Sequence, residues 1–143
     1  MNRSASAVWR VGLRDGKGVF TTESGALRSV PYTFRTRFES DPGTNPEELI
    51  AAAHAACFEM ALSGALARGG TPPEHLDVRA DVTFDKTDAG WRVVSSALTV
   101  RGRVPGIDAD GFRAAAEATR DGCPVSQALK GNVALSVEAT LEG

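Results

Sequence analysis

Only two cysteines and two histidines occur among the 143 residues, and neither a Cys-x-x-Cys nor a His-x-x-x-His pattern is present. The usual zinc spacings are therefore missing, and the chain does not read as a metal protein. No apolar run reaches the roughly 18 residues that mark a membrane span. Met1 to Trp9 lacks the apolar segment of a secretory signal. The 16 Lys and Arg residues form no basic block, and a net charge of -2 with a pI near 5.7 gives no attraction to nucleic acid or an anionic membrane. These absences lead to the expectation of a cytoplasmic protein with no nucleic-acid or membrane partner. A phosphate-cradling glycine loop is also missing, since Gly16-Lys17-Gly18 is too short and reads as a turn. Ser63 and Ser126 lie in no nucleophile elbow, which argues against serine-hydrolase chemistry. There is no repeat, linker or low-complexity segment.

What is present fits one domain over residues 1–143, with 42% hydrophobic and 24% charged residues. Ala5 to Arg14 alternates as a strand, Asp15 to Gly18 turns the chain, and Val19 to Glu23 returns. A third strand is expected around Pro31 to Phe38, with Phe34, Thr36 and Phe38 on one face and Arg35 and Arg37 on the other. Asn45-Pro46-Glu47-Glu48 supplies a cap, a first-turn proline and two carboxylates suited to a helix start. The run Leu49 to Arg68 then carries Leu49, Ala53, Cys57, Met60, Gly64 and Ala67 on one small-residue stripe, the mark of a central helix. Gly69-Gly70 and Pro72-Pro73 end it. Strands follow over Leu76 to Asp85 and Trp91 to Val104, a helix over Asp108 to Arg120, a shorter helix from Cys123-Pro124, and a last strand over Val133 to Leu141. Strands interrupted by helices in this order define an α+β fold.

Structural disulfides are uncommon in the cytoplasm, so the two cysteines are catalytic, redox-sensing or simply unpaired. Cys57 sits mid-helix on the apolar stripe, where an inert core cysteine is the ordinary case. Cys123 stands at a helix start, where free backbone N–H groups favour a thiolate. Local chemistry alone names Cys123 the more acidic thiol. Low acidity constants also suit leaving groups in thiol–disulfide exchange, so both assignments of attacking and resolving cysteine stay open. His54 and Cys57 form a His-x-x-Cys pair, but without further ligands His54 reads as a packing histidine.

Several segments are recognisable. Thr36-Arg37-Phe38-Glu39 and Gly43-Thr44-Asn45-Pro46-Glu47-Glu48-Leu49-Ile50 resemble the osmotically inducible protein C/organic hydroperoxide resistance family. So do Ala51 to Phe58 around His54 and Cys57, Val104-Pro105-Gly106-Ile107-Asp108, and Gly122-Cys123-Pro124-Val125-Ser126-Gln127-Ala128-Leu129. The likeness covers nearly the whole chain. Arg37 just before the helix resembles the osmotically inducible branch, since the other branch carries its arginine nearer the N-terminus. The resemblance implies a peroxidase that reduces organic hydroperoxides with no cofactor and an external dithiol as reductant. It implies Cys57 as the peroxidatic cysteine, Cys123 as the resolving one, Arg37 as the activating arginine and Glu47 as its carboxylate partner. It also implies an intertwined α+β homodimer, with antiparallel sheets around a central cysteine-bearing helix and sites at the subunit interface.

Spacing adds to this. Glu47 and Cys57 are ten positions apart, about 15 Å along one helix. If both serve one site, Glu47 comes from an antiparallel helix of a second subunit, in a C2 dimer packed through the alanine-rich stripe. Phe34, Phe38, Phe58 and Met60 would offer apolar surroundings for an alkyl group, or simply fill the core. Two rival functions use the same residues differently. A protein disulfide oxidoreductase would need the cysteines but not Arg37, and an apolar-ligand binder would need neither thiol.

Overall fold

Strands β1 (Ala5–Arg10), β2 (Lys17–Thr22) and β3 (Val30–Tyr32) form an antiparallel sheet in that order. Its register pairs Ala5 with Thr22 and Gly18 with Tyr32. This computed structural model describes all 143 residues. Trp9 and Tyr32 pack with ring centres 5.4 Å apart, and a Cβ on Gly18 would run into both rings. Glycine is therefore required there by close approach. β1 is shorter than the alternation suggests because Val11 takes a φ of 74°, a left-handed conformation that ends the strand.

The expected third strand divides. Only Val30–Tyr32 pairs, and Phe34–Phe38 forms a helical turn, α1. Thr33 caps it by accepting the Thr36 N–H, while the Thr36 hydroxyl accepts the Thr33 N–H. This reciprocal cap overrides the β propensity of the Thr-Phe-Arg-Thr run. Phe34 and Phe38 consequently stack as i, i+4 neighbours, ring centres 4.7 Å apart, and the expected division of Phe34, Thr36 and Phe38 from Arg35 and Arg37 across a strand does not form.

The chain falls into two compact units, Met1–Leu49 and Ile50–Gly143. Helix α2 (Pro46–Arg68) begins at the end of the first and supplies the second. The second unit has a sheet ordered β4 (His75–Thr87), β5 (Gly90–Arg103), β6 (Ala134–Leu141). β4 and β5 form the expected antiparallel hairpin, but β6 runs parallel to β5, with Ser95 opposite Ala134 and Gly102 opposite Leu141. The sheet is thus mixed rather than antiparallel. Helices α3 (Ala109–Gly122) and α4 (Pro124–Leu129) form the crossover that a parallel pair requires. Asp108 caps α3 through the Gly111 N–H at 2.7 Å.

The core of this unit gathers Phe58, Leu62 and Leu66 of α2, Leu98 and Val100 of β5, Val104, Phe112 and Ala116 of α3, and Cys123. On α2 the buried face therefore runs His54, Phe58, Leu62, Leu66. The small-residue stripe inferred from sequence turns elsewhere: Met60 is 77% exposed, and Ala53 and Ala67 are exposed too. The helix is apolar on both sides, so its sequence has no single dominant stripe to reveal the buried one. By length and composition α2 is also long and apolar enough to cross a membrane, although charges interrupt any continuous run. Its buried face is nonetheless packed against protein, with a histidine at its centre.

Phe112 lies directly over Gly102, where an added Cβ would meet its ring at 2.7 Å. Phe112→Ala should lower stability by about 3–5 kcal/mol, measured as a shift in the urea unfolding midpoint. A shift below about 1 kcal/mol would show that the core closes over the gap.

Candidate active site

In the first unit, Arg37 of α1 meets Glu47 of the first turn of α2. Arg37 Nη2 donates to Glu47 Oε1 at 2.7 Å, and Nε lies 3.2 and 3.3 Å from the two carboxylate oxygens. Glu47 is buried and Arg37 half-exposed. A forked contact of this kind fixes the plane of the guanidinium as well as its position. Arg37 also rests over the Phe38 ring, 5.4 Å from its centre. Neighbouring Arg35 is more exposed and pairs with Asp41 instead. The two arginines of α1 are thus distinguished by their carboxylate partners.

In the second unit, both cysteines are free thiols. Cys57 is half-buried against the core, and Cys123 is fully buried within it. Cys123 links α3 to α4: its N–H closes α3 on the Thr119 carbonyl at 2.9 Å, and its Sγ accepts the Ser126 N–H of α4 at 3.4 Å. The Cys57 thiol lies near enough to Cys123 and the Val125 backbone N–H for both to bear on its ionisation. Burial pushes the Cys57 thiol above its ordinary value; the Val125 N–H opposes this and the neighbouring Cys123 adds to it. None of these neighbours supplies a positive charge.

Beside the thiols lies a buried polar chain. His54, Ser96 and Ser126 are each 0% exposed. His54 Nδ1 meets Ser96 Oγ at 2.7 Å, and Nε2 meets Ser126 Oγ at 2.8 Å. Ser126 Oγ continues to Cys123 Sγ at 3.0 Å. Burial alone pushes the His54 imidazole below its ordinary value, which holds the ring neutral. His54 is thus the packing histidine that the sequence suggests, and its two serine partners are what the sequence reading missed. Ser126 carried a signal, because Cys123-Pro124-Val125-Ser126 has the spacing of a helix cap and its third helical residue. Ser96 carried a fainter one. It alternates with Leu98 and Val100 on the core face of β5, and a hydroxyl in such a place needs a partner.

Of the expected apolar surroundings, Phe58 fills the core and Met60 faces away from it. The four sequence-derived site residues therefore form two pairs, Arg37 with Glu47 in one unit and Cys57 with Cys123 in the other.

Two adjoining free thiols in an α+β fold make this a two-thiol protein of a distinct structural class, and comparison with known proteins places that class. Residues 39–138 match the family described as OsmC-like protein. Peroxiredoxin OsmC of Escherichia coli strain K12 is 48% identical over 138 residues, covering 96% of each chain. Organic hydroperoxide resistance protein OhrA of Bacillus subtilis strain 168 is 31% identical over 136 residues, covering 93% of each. The crystal structure of B. subtilis OhrB matches with a TM-score of 0.76 at 26% identity, over 96% of this chain and 98% of that one. The chain belongs to the OsmC-like protein family.

Two stability tests follow from the buried histidine. Ser96→Ala leaves Nδ1 without a partner and should cost about 1–3 kcal/mol in denaturant unfolding. The pH dependence has a defined sign. The His54 value is lowered in the folded protein from an ordinary 6.5, so the unfolded chain binds the proton more readily. Stability from this group is complete above pH 6.5 and is lost as pH falls below it. Urea midpoints at pH 7.5 and 5.5 should show that loss, and His54→Gln should flatten it; an unchanged slope would mean that other groups dominate.

Proposed function

We propose that the protein is a thiol-dependent peroxidase that reduces organic hydroperoxides to alcohols and, less well, hydrogen peroxide to water. The carrying observation is that the free Cys57 packs against the core that contains the free Cys123, near enough for the second thiol to bear on its ionisation. It is supported by relatives whose names are peroxiredoxin and organic hydroperoxide resistance protein.

The Cys57 thiolate attacks a peroxide oxygen. An S–O bond forms, the O–O bond breaks, and the departing alkoxide takes a proton to become the alcohol. Cys123 then attacks the Cys57 sulfenic acid, forming the disulfide and releasing water. An external dithiol restores both thiols by exchange.

The first step needs a cation, because burial holds Cys57 as a thiol and its immediate neighbours bring no positive charge. Arg37 is permanently charged, and Glu47 fixes its direction. It would stabilise the thiolate and orient the peroxide. Glu47 and Cys57 stand about 15 Å apart along α2, so the Arg37–Glu47 pair is proposed to serve Cys57 of a second copy in a C2 dimer. The exposed Ala53, Met60 and Ala67 of α2 suit the packing face of that dimer. On this reading the whole chain acts as one peroxidase domain.

Stopped-flow loss of free thiol with cumene hydroperoxide and hydrogen peroxide tests the reaction. Wild type should lose two thiols rapidly, faster with the organic peroxide, and Cys57→Ser should lose none rapidly. Arg37→Ala should slow the first step by roughly 10²-fold. Slow, nonselective oxidation of every variant would refute the peroxidase. Sedimentation alongside activity at increasing dilution tests the assembly, and a fully active monomer would overturn it.

A further inference from the structure

The catalytic cycle above gives His54 no task, yet a fully buried imidazole is joined through one hydroxyl to a reacting sulfur. The chain Ser96–His54–Ser126–Cys123 crosses β5, α2 and α4 with successive separations of 2.7, 2.8 and 3.0 Å. Every buried polar side-chain atom has a partner, and the tautomer of the ring sets the direction in which this chain donates. Burial requires a partner for each ring nitrogen, but it does not require the second hydroxyl to end on a thiol.

We propose that His54 and Ser126 form a proton relay that deprotonates Cys123 for its attack on the Cys57 sulfenic acid. This inference rests on the peroxidase reading and adds a base to its second step. His54 carries its proton on Nδ1 and donates it to Ser96 Oγ, which leaves Nε2 as an acceptor. Ser126 donates its hydroxyl proton to Nε2 and takes the proton of Cys123. The Cys123 thiolate, held by the Ser126 N–H and hydroxyl, then attacks the Cys57 sulfur. The S–S bond forms as the S–O bond breaks, so the Cys123 sulfur is oxidised and the Cys57 sulfur reduced. The relay then runs in reverse, and its proton passes through Ser126 to the departing hydroxide, which leaves as water. Ser126 touches the reacting sulfur and is a catalytic residue. His54 acts through it and is a positioning residue and proton store.

The relay needs a neutral ring, and burial favours that form. The groups bonded to the ring are the Ser96 hydroxyl of β5 and the Ser126 hydroxyl of α4, and the Cys123 thiol, the titratable group of the chain, lies one hydrogen bond beyond.

Two measurements on the full chain test this. The first is ring-nitrogen NMR of the reduced protein, with the other histidine assigned through His75→Gln. Nδ1 should carry the proton and Nε2 should resonate as an acceptor; a proton on Nε2 would overturn the relay. This reading involves no peroxide, so it stands apart from any failure of the peroxidase assignment. The second is stopped-flow kinetics after one equivalent of cumene hydroperoxide, separating Cys57 oxidation from disulfide formation. Ser126→Ala and His54→Gln should slow disulfide formation by roughly 10²-fold, with Cys57 oxidation within about threefold of wild type. Ser126→Thr, which keeps the hydroxyl, should recover most of the rate. The wild-type rate should fall in acid as His54 protonates, and His54→Gln should lose that inflection. Unchanged disulfide formation in both variants would sink the relay, as would equal slowing of both steps with no recovery in Ser126→Thr.

Discussion

A neutral imidazole sealed from water can persist only if both of its nitrogens find partners, because each buried and unsatisfied polar atom costs about 1–3 kcal/mol. His54 meets that condition through Ser96 and Ser126. The three elements that carry these residues are thereby locked in register. α2 cannot rotate over the sheet without breaking the contact with β5, and α4 cannot shift without breaking the contact with Ser126. Cys123 begins α4 and Cys57 lies three residues beyond His54, so the relative position of the two thiols depends on the same constraint.

The apolar core supplies most of the driving force around this polar centre. Phe58, Leu62 and Leu66 follow His54 at four-residue steps along α2 and pack on Leu98 and Val100, which follow Ser96 at two-residue steps along β5. One polar pair therefore heads two matched apolar rows. Burial of these rows is nondirectional and would tolerate a small slip, whereas the hydrogen bonds of His54 would not. Hydrophobic burial stabilises the unit, and the histidine sets its alignment.

The Arg37–Glu47 ion pair belongs to one compact unit and the two thiols to the other. Arg37 is held by Glu47 through a forked contact at the first turn of α2, while the groups that bear on the Cys57 thiol within its own unit are a backbone N–H and a second thiol. A cysteine in such surroundings is protected from indiscriminate ionisation. On the proposed peroxidase cycle, its reactivity would be conditional on a charge delivered in a defined orientation.

The helix boundaries, the β4–β5 hairpin and the α+β class were legible from local signals: Pro46 and the paired glutamates, the double glycine and double proline after Arg68, and the turn before Trp91. Capping chemistry is equally local, and Thr33 with Thr36 held enough information to turn the expected strand over Phe34 to Phe38 into a helix. The resemblance marked Cys57, Cys123, Arg37 and Glu47, because such motifs are contiguous in the chain. Other features depend on partners distant in sequence. The parallel pairing of β6 with β5 depends on how the α3–α4 crossover returns the chain. The buried face of α2 was not decidable from a helix apolar on both sides, and only the sheet beneath it selected His54 and Phe58 over Ala53 and Met60. Ser96 and Ser126 lie 42 and 72 positions from His54. No local pattern joins them, and a hydrogen bond between such residues exists only once the tertiary structure has brought them within 3 Å.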